Sequence, residues 1–213
     1  LGAGCIIHAV HSNEMSAMGG LRRYMPVTHA TFLIACLAIA GIWPLSGFFS
    51  KDEILTACFA FSPVMGWVMT GIAGLTAFYM FRLYYNIFWG RENRELHAAH
   101  KPHEAPLTMT LPLLFLSAVT CVAGFIPFGK LVSSDGTAYA IHIDRGVAGV
   151  SLCVAAAAIA LATWMYLRER QTVADALATR FRGLHKAAYH RFYIDEVYQF
   201  VTHRVIFACI SAP

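Results

Sequence analysis

Four stretches of this chain, 28–49, 54–81, 105–129 and 146–167, contain no Asp, Glu, Lys or Arg. Each exceeds the roughly 20 residues that a helix needs to cross about 30 Å of hydrocarbon. Packed in water, such runs would leave wide apolar patches exposed. The composition agrees. Of the 213 residues 58% are hydrophobic and 13% charged, about half the charged share of ordinary soluble domains. The mean hydropathy is +0.56. The chain therefore reads as an all-α, polytopic transmembrane helix bundle.

The expected spans are about 1–11, 28–61, 63–89, 107–128 and 146–168, in a transmembrane domain over 1–170. The opening "LGAGCIIHAV" is apolar with no charged leader. It reads as the second half of a transmembrane helix rather than a secretory signal, and the chain as a fragment. Alternating spans put Arg22, Arg23, Arg91, Arg94, Lys101, Arg168 and Arg170 on one face, against Lys130 and Arg145 on the other. The positive-inside rule makes the basic face cytoplasmic in an inner (plasma) membrane. Near the end of the third span, Arg82 stands among Tyr79, Phe81, Tyr84, Tyr85, Phe88 and Trp89, the composition of an interfacial aromatic belt with a snorkelling Arg. A ligand-binding role for this Arg is the alternative.

After Leu167, Val173, Leu177, Phe181, Leu184, Ala188 and Phe192 recur at three- or four-residue steps, with Arg180, Arg182, Lys186 and His190 elsewhere. This predicts an amphipathic helix in 171–213 with a cationic face, suited to a membrane interface, to a partner subunit, or to both. The six cysteines lie singly in apolar segments, as small buried hydrophobes, and imply no disulfide, zinc or iron–sulfur site. "HAAHKPH" spaces His97, His100 and His103 three apart, but in a polar loop without a cysteine partner it is a weak metal motif. No glycine-rich phosphate loop or stacked-aromatic basic face points to nucleotide or nucleic acid.

The triplet Lys51-Asp52-Glu53 interrupts two charge-free runs. Such a triplet is either the wet tip of a hairpin or a polar site at membrane depth. Two signals favour depth. Pro44 and Gly47 interrupt the preceding apolar helix. Ser50 and Glu53 have capping-box spacing, and Ser62-Pro63 reads as a second helix start. The helix between would have about eleven residues and rise about 16 Å, half a bilayer. That is the pattern of a discontinuous transmembrane helix, where freed backbone groups and helix ends solvate charge. Ionisable groups at such depth are costly and functional. A lysine suits a proton relay there, since burial favours the neutral amine and a neighbouring carboxylate favours the ammonium. Lys51 and Asp52 are the expected relay pair, with Glu53 beside them. His8, closing the first half-helix, is a further relay candidate because imidazole titrates near neutrality.

"LSGFFSKDEIL", the "MGGLRR" connection and "PHEAPLTMTLPL" (Pro102 to Leu113) resemble the largest antiporter-like membrane subunit of respiratory complex I, the NADH–quinone oxidoreductase. The resemblance runs over essentially all of the chain. It implies that Lys51 is the lysine of a broken helix near the exit of a proton half-channel, with Asp52 beside it. It also implies that the cationic segment begins a long lateral helix strapping neighbouring antiporter-like subunits together. The family's input-channel glutamate and lysine would lie upstream of Leu1. NADH, FMN, iron–sulfur clusters and quinone would belong to other subunits, with no cofactor in this chain. A subunit of a cation/proton antiporter or membrane-bound hydrogenase, and a truncated non-pumping or scaffolding fragment, are the alternative readings.

Overall fold

The computed structural model describes residues 1–92, 102–126, 144–167 and 172–202. The chain divides into two compact units, Leu1–Arg170 and Gln171–Pro213. The described residues hold helices and no strand.

In the first unit, α1 covers Gly2–Val10 and ends at His11 in the left-handed conformation. A connection with two short 3-10 turns leads to α2, Pro26–Ala40, where proline occupies the first turn, the position its missing amide tolerates. Gly41, at φ 81°, closes α2 by donating to Ala38 O, and α3 follows as Ser46–Phe61. A short turn at Ser62 leads into α4, Pro63–Phe88. The remaining helices of this unit are α5, Leu107–Val122, continued by a 3-10 turn to Phe125, and α6, Arg145–Tyr166.

The discontinuous span therefore breaks at 41–45, earlier than the capping-box reading placed it. Ser50 is not an N-cap: it lies inside α3 and its hydroxyl donates to Gly47 O. Pro44 and Gly41 explain the shift. Proline removes a backbone donor, and glycine accepts the left-handed turn, so α2 stops before Pro44 and α3 starts anew right after it. Pro63 does begin α4, but Ser62 makes no side-chain cap.

Helix α4 packs against both α2 and α3, which makes the two halves one broken column beside an unbroken helix. Its buried stripe runs Gly66, Thr70, Gly74, Ala77, Phe81, Tyr84, Tyr85 and Phe88, at helical spacing. The small half of the stripe admits α6, with Val154 against Gly74. Further along, the Tyr85 hydroxyl meets Thr163 Oγ1 at 2.8 Å. The aromatic half is not an outward belt. Phe81, Tyr84, Tyr85 and Phe88 are buried, and of the tyrosines in α4 only Tyr79 keeps half its surface exposed. Arg82 is exposed, with its guanidinium 5.6 Å from the Tyr166 ring.

Three helices, Pro63–Phe88, Leu107–Phe125 and Arg145–Tyr166, are long and apolar enough to cross a membrane. No more than 28% of any of their apolar windows is buried within the chain. Leu75, Leu111 and Phe115 are each more than 60% exposed, which is the surface of a helix solvated by lipid or by other membrane helices.

The second unit is a succession of short helices, α7 (Thr172–Arg180), α8 (Arg182–Tyr189) and α9 (Ile194–Phe200), rather than one rod. Arg191, Phe192 and Tyr193 all take positive φ, which no continuous helix allows. An Arg191–Asp195 ion pair and a His190–Glu196 contact at 3.4 Å bracket that turn. Leu177, Phe181, Phe192 and Val197 are exposed, as are Arg180, Arg182 and Lys186.

Candidate functional site

The break in the column places the charged triplet. Gly47 comes so close to α2 that an added Cβ would stand 1.8 Å from Ala38 O. With that contact made, the first turn of α3 lies on the last turn of α2. Lys51, one turn further on and half-buried, reaches back, and its Nζ donates to Ile39 O at 2.8 Å. Ile39 O is one of the carbonyls that a helix leaves without an amide partner at its C-terminus. The ammonium also meets the negative end of the α2 dipole. Gly41 leaves room for the reach, since an added Cβ there would stand 3.0 Å from Lys51 Cδ.

Asp52 lies on a different side of α3 from Lys51, because successive helical residues are about 100° apart. It is 1% exposed, and neither carboxylate oxygen has a hydrogen-bond partner among the described residues. Asp144 caps the start of α6 by accepting from Gly146 N and Val147 N. The Lys51–Asp52 pairing expected from their adjacency is not formed, and Glu53, half-buried, makes no ion pair with Lys51. The lysine is held by backbone, and the aspartate by no hydrogen bond from the described residues. An ionised buried carboxylate in that state costs several kcal/mol, so its oxygens call for a proton or a polar ligand.

His8 is not part of this cluster. It is exposed in the last turn of α1, with the His11 ring 6.1 Å away, edge-on. His29, in the first turn of α2, makes the stronger contact: its Nε2 is 2.7 Å from the Tyr84 hydroxyl, in a nest with Phe88. His97 and His100 lie outside the described residues, and His103 is exposed. Among the described residues no group of three or more His, Cys, Asp or Glu could hold a metal.

Glu104 is the residue that sequence reasoning missed. Its Oε2 accepts from Val27 N at 2.8 Å and Thr28 N at 3.4 Å, and its Oε1 accepts from Thr28 Oγ1 at 2.5 Å and Ala105 N at 3.3 Å. A carboxylate from 76 residues away thus caps the start of α2 at the positive end of its dipole. The signal was available: Met25 in the N-cap position offers no side-chain acceptor, so the free amides of the first turn had to find one elsewhere. Around this end of the first unit, Arg22 lies 3.7 Å over the Trp89 ring. The Tyr24 hydroxyl donates to Glu92 Oε1 at 2.7 Å. That hydrogen bond to a carboxylate raises the phenol above its usual range. Arg22, Arg23 and Arg91 therefore gather at one end of the unit, with the segment that carries Glu104.

The apolar spans thus contain one break, with a backbone-held lysine and a buried aspartate, unpartnered among the described residues, beside it. The comparisons agree on the lineage. Residues 1–76 match the family described as "NADH:quinone oxidoreductase/Mrp antiporter, TM". The NAD(P)H-quinone oxidoreductase chain 5 of Picosynechococcus sp. is 37% identical, over 93% of this chain and 36% of that protein. The chloroplastic subunit 5 of Chlorokybus atmophyticus is 33% identical over 93% of this chain and 34% of its own length. The NADH-quinone oxidoreductase subunit L of Mycobacterium tuberculosis is 45% identical over 64% of this chain and 21% of its own. The chain belongs to the antiporter-like membrane subunits of complex I, and it spans about a third of the length of the first two of these relatives.

Proposed function

We propose that the chain forms part of a proton-translocating membrane subunit of an NADH–quinone oxidoreductase, with Lys51 and Asp52 as its proton relay. The kinship to chain 5 and subunit L proteins supports the assignment. The observation that carries the relay is the Lys51 amine on Ile39 O across the helix break. A cation held by one carbonyl of a broken helix is stabilised yet not locked in an ion pair. A charge arriving nearby, or a small opening of the break, then changes its hold on a proton. Asp52, on the neighbouring helix side, is the next group able to take that proton, and Glu53 continues the polar run. His8, exposed and apart from the break, has at most an outlying part.

On this reading electron transfer takes place in other subunits, which carry FMN, iron–sulfur clusters and the NADH and quinone sites. This chain contributes no redox group. Its partners are neighbouring antiporter-like subunits and the lipid of the inner (plasma) membrane. The end that gathers Arg22, Arg23 and Arg91 faces the cytoplasm under the positive-inside rule. The exposed Leu177, Phe181, Phe192 and Val197, with Arg180, Arg182 and Lys186, supply the surface for lipid or a neighbouring subunit.

The test is proton pumping per NADH oxidised in membranes carrying variants at equal complex content. Lys51→Ala is expected to cut pumping by roughly tenfold or more, in line with loss of a positioned proton-transfer group. Lys51→Arg is expected to rescue assembly but not pumping, because a guanidinium does not release its proton. Wild-type ratios in both variants would remove the relay. The family description also covers Mrp antiporters. Sodium-dependent proton uptake without NADH, abolished by Lys51→Ala, would favour that second reading.

A further inference from the structure

Six threonines of these helices share one habit. Thr31, Thr70, Thr76, Thr110, Thr120 and Thr163 each donate to the carbonyl four residues back, satisfying the hydroxyl inside the helix. Thr56 departs from it. Its Oγ1 is buried without a partner, although the carbonyl of Asp52 is the one four residues back. The buried side-chain atoms that lack a partner among the described residues are Thr56 Oγ1 and the two oxygens of Asp52. Three orphans on two side chains one helical turn apart are a cluster. Asp52 and Thr56 share a face of α3, with about 5–6 Å between the Cβ atoms of such a pair. They do not bond to each other, and side chains four apart on a helix are close enough for one small molecule to bridge them.

We propose that Asp52 and Thr56 hold a buried water between them, and that Thr56 is a positioning residue for the Asp52 carboxyl; this deepens, and rests on, the relay reading above. Water fits because it can donate to a carboxylate oxygen while exchanging a second hydrogen bond with the threonine hydroxyl. A buried water satisfies these atoms at modest entropic cost, whereas leaving them bare forfeits the desolvation energy of each. It also gives Asp52 a partner that can pass a proton. Lys51, tied to Ile39 O, makes no direct hydrogen bond to Asp52, so a proton passing between them needs such a bridge.

The test uses the assembled complex carrying Thr56→Val, which keeps the volume and drops the hydroxyl, Thr56→Ala as a second hydroxyl-free variant, and Thr56→Ser. The readouts are the carboxyl stretching band of Asp52 in infrared difference spectra, assigned by its disappearance in Asp52→Asn, and protons pumped per NADH. Thr56→Val and Thr56→Ala are expected to shift the band as the carboxyl loses its hydrogen-bonded water, and to lower pumping several-fold. Thr56→Ser is expected to restore both. An unshifted band in both hydroxyl-free variants overturns the water. A shifted band with undiminished pumping overturns the positioning role. If the band shifts but Lys51→Ala and Asp52→Asn pump as wild type, the relay reading falls and Thr56's positioning role with it. If those two variants lose pumping while the band stays put, the water falls alone.

Discussion

The two halves of the broken column each hold a carboxylate, and the two are treated in opposite ways. At the start of α2, Glu104 accepts from three backbone amides and one hydroxyl. In α3, just past the break, Asp52 is more deeply buried and accepts from nothing among the described residues. A fully satisfied carboxylate has no need of a proton and serves as a fastener. An unsatisfied one stays ready to bind something. The contrast separates the part of the molecule that holds the helix from the part available for chemistry, and each side can be tested by substitution.

The largest expected difference is between two amide replacements. Asp52→Asn is expected to remove most proton pumping from a normally assembled complex, because the amide cannot carry the proton and its neutrality relieves a buried charge. Glu104→Gln is expected to leave pumping per assembled complex unchanged, since one carbonyl oxygen still accepts at the helix start. Pumping ratios at equal complex content decide between them, and a reversed pattern would exchange the roles assigned to the two acids.

A second effect falls on the geometry of the break. Gly47→Ala would drive a Cβ into Ala38 O, so α3 must lift from α2 and Lys51 must leave Ile39 O. Overpacking of this kind costs about 1–3 kcal/mol, and pumping is expected to drop with assembly. Gly71→Ala, on a side of α4 with nothing within 4 Å, is the control and is expected to be silent. Equal complex content and equal pumping in the two would mean that the close approach is not needed. Glu104→Ala comes next. It leaves the amides of Val27 and Thr28 without an acceptor and is expected to lower stability by about 1–2 kcal/mol, the usual worth of a lost N-cap. Complex content after mild heating is the measurement, and no loss would demote Glu104 to a bystander.

The smallest effect lies at the basic end. The Tyr24 phenol, raised by its bond to Glu92, keeps that link throughout neutral pH. A raised phenol contributes fully below its ordinary range near pH 10 and loses the contribution as pH rises through the higher value. Tyr24→Phe is therefore expected to be close to silent at neutral pH. Spectroscopic titration should show Tyr24 ionising above a free phenol, and ionisation at the ordinary value would break the link.

Much of this was legible in the residues. Charge-free runs longer than a bilayer is thick compel membrane helices, because lipid offers backbone groups no other partner. Pro44 and the glycines around it announced the interruption, and Lys51-Asp52-Glu53 announced that the interruption was polar. The start of α3 was misplaced because a capping box is a local pattern, while the left-handed turn at Gly41 and the Gly47–Ala38 contact depend on how two helices lie together. The aromatic cluster of α4 was mistaken for a belt because composition does not say which side of a helix faces a neighbour.

What the amino-acid order alone determined is the lipid-solvated helical class, the broken span and the residues with ionisable side chains at its break, since these follow from hydropathy and backbone chemistry along a single segment. The partners were decided only in three dimensions. Lys51 binds a backbone carbonyl rather than its neighbour Asp52, and Glu104 caps a helix 76 residues away. The side-chain oxygens of Asp52 and Thr56 are buried without a partner among the described residues. Hydrogen bonds reach only about 3 Å, so which groups satisfy one another is settled by packing that brings distant segments together, and no reading along the chain contains that distance.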